Sequence, residues 1–126
     1  MSGEPILVNV RTVDGFHHEI RFRGRTFEAD EPSTAGGTDH GPAPEEMLLG
    51  ALGSSMAITM LVYAGRKRWP LEAVELDLRQ SGETIQKLIR LRGDLDSDQR
   101  SRLLHVGDHC PVQRMLSRGL RVETLA

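Results

Sequence analysis

Met47 to Ala64 is a run of eighteen residues without a charged side chain, and it lies between Pro44 and Pro70. A run of that length reaches the threshold for a membrane span. It therefore narrows the possibilities to a membrane helix or a long apolar core helix. The run contains Gly50, Gly53, Ser54, Ser55 and Thr59, and its length is marginal for hydrocarbon. Placing it in a bilayer would also deprive the chain of its main core element. A core helix is expected, and no membrane partner.

The flanks agree with that reading. Pro44 suits the first turn of a helix, where a missing N–H costs nothing, and Glu45 and Glu46 oppose the positive end of the helix dipole. The helix is expected to run towards Arg68, with Arg66, Lys67 and Arg68 suiting its C-terminal end and Pro70 stopping it. Gly50, Gly53, Ser54 and Ala57 are small residues at spacings that let another backbone approach.

Before the helix, Ile6, Val8 and Val10 alternate with Asn9 and Arg11, a half-buried strand pattern. Asp14-Gly15 suits a tight hairpin turn. Phe16 to Arg23 alternates again, Gly24 breaks the run, and Arg25 to Asp30 reads as a third strand. Glu31 to Pro44 is a loop rich in glycine and proline. Beyond the helix, Val74 to Arg79 and Thr84 to Arg92 read as a strand pair about Ser81-Gly82. Asp96 with Gln99 resembles a capping box for a helix over Asp98 to His109. Pro111 opens a short helix that Gly119 closes, and Leu120 to Thr124 alternates as a last strand.

The expected order is thus βββ-α-ββ-α-α-β, an α+β fold in a single domain over residues 1–126. A helix apolar on nearly every side needs cover that one small chain supplies only in part. An intertwined homodimer is therefore expected.

Composition removes several classes of function. The formal net charge is −2, so nucleic acid is not expected as a partner. Met1 to Asp14 has no basic segment followed by an apolar one, hence no secretory signal pattern. A single cysteine, Cys110, excludes an internal disulfide framework and makes a reducing cytoplasm the expected compartment. His105 and His109 share a helix face, but Cys110 follows His109 directly and points elsewhere, so no metal site is expected. His17 and His18 point to opposite faces of a strand. Gly53-Ser54-Ser55-Met56-Ala57 mimics a hydrolase elbow, yet it lies in mid-helix with no strand before it. No cofactor is expected.

A family resemblance rests on several motifs in order. Ala29-Asp30-Glu31-Pro32 and Gly36-Gly37-Thr38-Asp39-His40-Gly41-Pro42-Ala43-Pro44 resemble the loop before the central helix of OsmC/Ohr proteins. Leu48-Leu49-Gly50-Ala51-Leu52-Gly53-Ser54-Ser55 is similar to the family's Leu-rich run ending in Gly-Ala-Cys. Tyr63-Ala64, Arg66-Lys67, Trp69-Pro70-Leu71-Glu72, Gly93-Asp94-Leu95-Asp96, Gln99-Arg100, Leu103-Leu104 and Cys110-Pro111-Val112 continue it. The likeness covers residues 16–124 in one register.

What the resemblance implies is a swapped homodimer with two active sites at its interface and thiol-dependent reduction of organic hydroperoxides. In that chemistry one cysteine attacks the O–O bond and becomes a sulfenic acid, and a second resolves it as a disulfide. Here the attacking position falls on Ser55, and only the resolving position, Cys110, keeps its thiol. The glutamate that helps orient the attacking cysteine falls on Glu45. Ten residues at about 100° each put Glu45 roughly 80° around the helix from Ser55.

A serine hydroxyl is un-ionised near neutral pH and forms no counterpart of a sulfenic acid, so Ser55 does not substitute in the redox step. It is expected to fill the thiol's space and hydrogen-bond to the preceding turn. Cys110 has two readings: a thiolate favoured by a helix start, or a buried inert thiol. Two functions follow. One is a hydroperoxide reductase relative whose activity is absent, weak or dependent on Cys110. The other is a non-catalytic relative that binds a small apolar ligand in the dimer-interface pocket.

Overall fold

The computed structural model describes residues 3–126. It is an α+β chain of five strands and three α-helices among the described residues, in two compact units that divide after Leu48.

The first unit is built on an antiparallel sheet of β1 (Asn9–Asp14), β2 (His17–Phe22) and β3 (Arg25–Ala29), in the order β1-β2-β3. Gly15 supplies the positive φ of the first turn, and Arg23 and Gly24 both adopt positive φ in the second. That pair is the signature of a hairpin turn matched to strand twist. The first strand starts at Asn9, later than the expected Ile6. The register explains this, since Asn9 already faces Arg21, one residue from the end of β2. All six β1 residues are exposed, which corrects the expectation of a half-buried strand. Val10 faces Ile20 and Ile20 faces Phe27 on one side of the sheet. Only Ile20 of the three is buried, with Ala29 and Ala43.

The long helix α1 (Pro44–Lys67) matches the expected span. Glu46 caps its start by accepting from the Ala43 N–H at 2.8 Å.

The second unit carries the hairpin β4 (Ala73–Ser81) and β5 (Thr84–Arg92), then α2 (Ser97–Gly107) and α3 (Pro111–Arg118). Leu52, Met56, Met60 and Ala64 form one stripe of α1, and with Leu95, Leu103 and Cys110 they make the core. Val74, Leu76, Leu78, Ile85, Ile89 and Leu91, the inward residues of the hairpin, pack against it. Gly53 lets Leu78 close in on the helix: a Cβ built on it would lie 2.8 Å from Leu78 Cδ1, which would have to shift. The capping box of α2 forms as expected, with Asp96 Oδ1 accepting from Gln99 N–H at 2.8 Å and Gln99 Oε1 from Asp96 N–H at 3.0 Å. Such a cap stabilises a helix by about 1 kcal/mol.

Against the expectation of a last strand, Leu120 to Thr124 forms none and joins neither sheet. As expected of one small chain, α1 is covered only in part. Ile58, Leu61 and Val62 are exposed, so its burial within the chain is a single stripe.

Candidate functional site

In the second unit, α1 presents Ser55 towards the start of α3. Ser55 Oγ accepts a hydrogen bond from the Val112 backbone N–H at 3.3 Å. Val112 is the second residue of α3, and Cys110, the N-cap, makes no side-chain cap hydrogen bond. Ser55 therefore supplies from another helix what the local N-cap does not, a partner for one of the orphan N–H groups of a helix start. This differs from the expected bond to the preceding turn. That habit belongs to Ser54, whose Oγ donates to Ala51 O at 3.2 Å. The Ser55 carbonyl accepts from Thr59 Oγ1 at 2.7 Å.

The turn from α2 into α3 is held from both sides of Cys110. Lys87 of β5 donates to Asp108 Oδ1 at 2.7 Å and also to Gln113 Oε1. Cys110 N–H bonds back to Gly107 O at 3.1 Å. The Cys110 side chain is fully buried among Met56, Met60 and Leu103. Of its two readings, the buried placement is the one found.

Glu45 stands exposed in the first turn of α1, in the first unit. The structure thus brings together Ser55 and the segment that follows Cys110. Glu45 keeps its place near the positive end of the helix dipole.

A polar cluster in the first unit was not foreseen. Asp30, the one buried charged residue among those described, accepts from Glu31 N–H at 2.7 Å, Thr38 Oγ1 at 2.8 Å and His40 N–H at 3.1 Å. Burial opposes ionisation of Asp30, but the donors from His40, Thr38 and Glu31 outweigh it and hold the carboxyl well below its usual range. His40 stacks flat on His17, with ring centroids 4.1 Å apart. His17 Nε2 in turn meets Glu28 Oε1 at 2.9 Å. The signal was present in the sequence: Gly37 and Gly41 flank these residues, and a Cβ on either would strike the backbone of Glu31 or Glu28. The same unit carries an open apolar cleft of about 570 Å³ whose lining includes Val10, Phe16, Ile20 and Met47.

The model of the family described as OsmC-like protein matches residues 37–125. This chain belongs to the OsmC-like family. Among proteins of curated function, none matches it in sequence. Solved structures agree on the fold. An OsmC like protein from Mycoplasma pneumoniae is 12% identical, with a TM-score of 0.74 over 92% of this chain and 89% of that one. The organic hydroperoxide resistance protein OhrB of Bacillus subtilis is 18% identical, with a TM-score of 0.60 over 94% and 93%. A Vibrio cholerae protein with captopril bound in one of its active sites is 14% identical, with a TM-score of 0.59 over 87% and 83%. The OsmC-like domain thus resembles organic hydroperoxide resistance proteins in fold, with Ser55 and Cys110 set in its second unit.

Proposed function

We propose that this OsmC-like protein is a relative of the hydroperoxide reductases that lacks the two-cysteine cycle and binds a small apolar ligand. The observation that carries the reading is the bond from Val112 N–H to Ser55 Oγ at 3.3 Å. The N–H that faces the attacking position here satisfies a neutral hydroxyl. A thiolate in that place would gain both the hydrogen bond and the helix dipole. Serine gains the hydrogen bond and no redox chemistry. The burial of Cys110 argues against a cycle run on that thiol alone. The apolar cleft of the first unit and the captopril held by the Vibrio cholerae protein support a ligand-binding role.

We further propose that the working form is a homodimer. Among the described residues α1 is the one helix long and apolar enough to cross a membrane, and 28% of its most apolar window is buried. A second copy laid along Ile58, Leu61 and Val62 would cover the remainder, while Ser54, Ser55 and Thr59 suit a protein interface better than hydrocarbon. Static light scattering at micromolar concentration should give twice the 14.0 kDa chain mass.

The functional test compares the protein with its Ser55→Cys variant in dithiol-dependent reduction of cumene hydroperoxide. The protein should show little turnover, and Ser55→Cys should raise the rate by at least about a hundredfold, as expected for restoring an ionised nucleophile. Peroxide should then remove both free thiols of the variant, as a disulfide to Cys110. Rapid turnover by the unaltered protein would establish a Cys110-dependent peroxidase instead. A folded, dimeric, inactive Ser55→Cys variant would point to a pocket remodelled for binding alone.

A further inference from the structure

At the C-terminal end of α1 the second unit gathers positive charge around its only tyrosine. Arg102 Nε of α2 donates to Tyr63 Oη at 3.0 Å, and the Arg102 guanidinium carbon lies 5.6 Å from the Tyr63 ring centroid. Lys67 Nζ lies 5.7 Å from the same centroid. The Trp69 and Tyr63 rings meet in a T-shaped arrangement with centroids 5.6 Å apart. Arg66 and Arg68 flank Lys67 in sequence. None of Arg66, Lys67, Arg68 and Arg102 forms an ion pair among the described residues.

Compensation of the helix dipole accounts for Arg66 and Lys67 in the last turn of α1. It does not account for Arg102, which comes from a different helix and is held by the phenol. With Nε committed to Tyr63, the two terminal guanidinium nitrogens of Arg102 make no hydrogen bond among the described residues, and neither does Lys67 Nζ. The Tyr63 hydroxyl accepts from Arg102 and keeps its own hydrogen to donate. The Arg102 hydrogen bond also makes Tyr63 a stronger acid than an ordinary phenol, despite some burial, and a more acidic hydroxyl is a better donor to an anion.

The geometry points to an anion site at Tyr63, Lys67 and Arg102 that takes a phosphoryl group. Three donor-bearing side chains with two positive charges suit a tetrahedral dianion, with Arg102 offering a bidentate edge and Lys67 a point charge. A carboxylate brings one charge and two oxygens, and would leave part of the donor set unused.

Trp69 is the only tryptophan in the chain, so its emission reports this site. Titration with inorganic phosphate at constant ionic strength should change that emission saturably and broaden the phosphorus resonance. Arg102→Gln and Lys67→Gln should each weaken binding about tenfold or more, and Tyr63→Phe somewhat less. Chloride and acetate at matched ionic strength should have no comparable effect. Glycerol 3-phosphate and vesicles containing phosphatidic acid separate the sources. Saturable binding of the first alone assigns a free phosphorylated metabolite, whereas cosedimentation with the vesicles assigns a lipid headgroup, and either supports the site. Absence of both the emission change and the line broadening overturns it. So does acetate binding as tightly as phosphate, or unaltered binding by folded Arg102→Gln and Lys67→Gln variants.

Discussion

The loop after β3 and the turn between α2 and α3 each fix a short irregular segment, and they do so by opposite means. In the first, a buried carboxylate gathers donors from Glu31, Thr38 and His40. In the second, an apolar core closes over Cys110, and polar contact comes from Ser55 and from Lys87. An ionised group replaces the water that a loop backbone would otherwise need, and so holds it by hydrogen bonds alone. Packing holds the other segment, and there one hydroxyl adjusts rather than defines the structure. Ser55, with its single hydrogen bond to the start of α3, is thus the more lightly held contact.

The contrast can be broken most sharply in the second unit. Met60 is fully buried, and Met60→Ala should cost about 3 kcal/mol of unfolding free energy in urea titrations, as cavity-forming core substitutions do. A loss under about 1 kcal/mol would mean that packing does not hold this unit. Asp30→Ala should follow, lowering Tm by roughly 10 °C because several donors lose their shared acceptor. Its pH dependence has a definite sign. Asp30 has a depressed carboxyl pKa in the folded chain, so its contribution is full above the unfolded value of about 4 and fades as pH falls through and below it. Thermal melts between about pH 2 and pH 5 should show that slope below about pH 4, and Asp30→Asn should flatten it.

Ser55→Ala removes one acceptor from the α3 start and should cost about 1 kcal/mol. A loss as large as that of Met60→Ala would make Ser55 a structural keystone and erase the contrast. Smallest of all, Glu45→Gln should move Tm by no more than about 2 °C, since the residue is exposed in the first turn.

Much of the fold could be read from residues alone because its cues are local. Pro44, the charge-free run and Lys67 bound α1, and Asp96 with Gln99 announces α2. Leu120 to Thr124 alternates like a strand, yet a strand also needs an edge to pair with, and alternation carries no knowledge of one. Ser55 and Cys110 were found through family register. The bond to Val112 was not, because it joins residues 57 apart in sequence. Asp30 lies within a family-like motif, but its burial depends on how residues 31–41 fold back over it. The Tyr63 and Arg102 contact likewise joins two helices, which no helical periodicity couples.

The core of the second unit also sets a chemical limit on its reversibility. Met56, Met60 and Cys110 are all fully buried in one cluster, so three of its seven buried residues carry reduced sulfur. While the unit is closed, those atoms are shielded. When it opens in the presence of a peroxide, thioethers become sulfoxides and the thiol climbs towards acids that cannot be repacked among leucines. Unfolding under oxidant then acts as a ratchet: each opening that lasts long enough to be oxidised removes a molecule from the folding equilibrium for good, unless a repair enzyme reduces it.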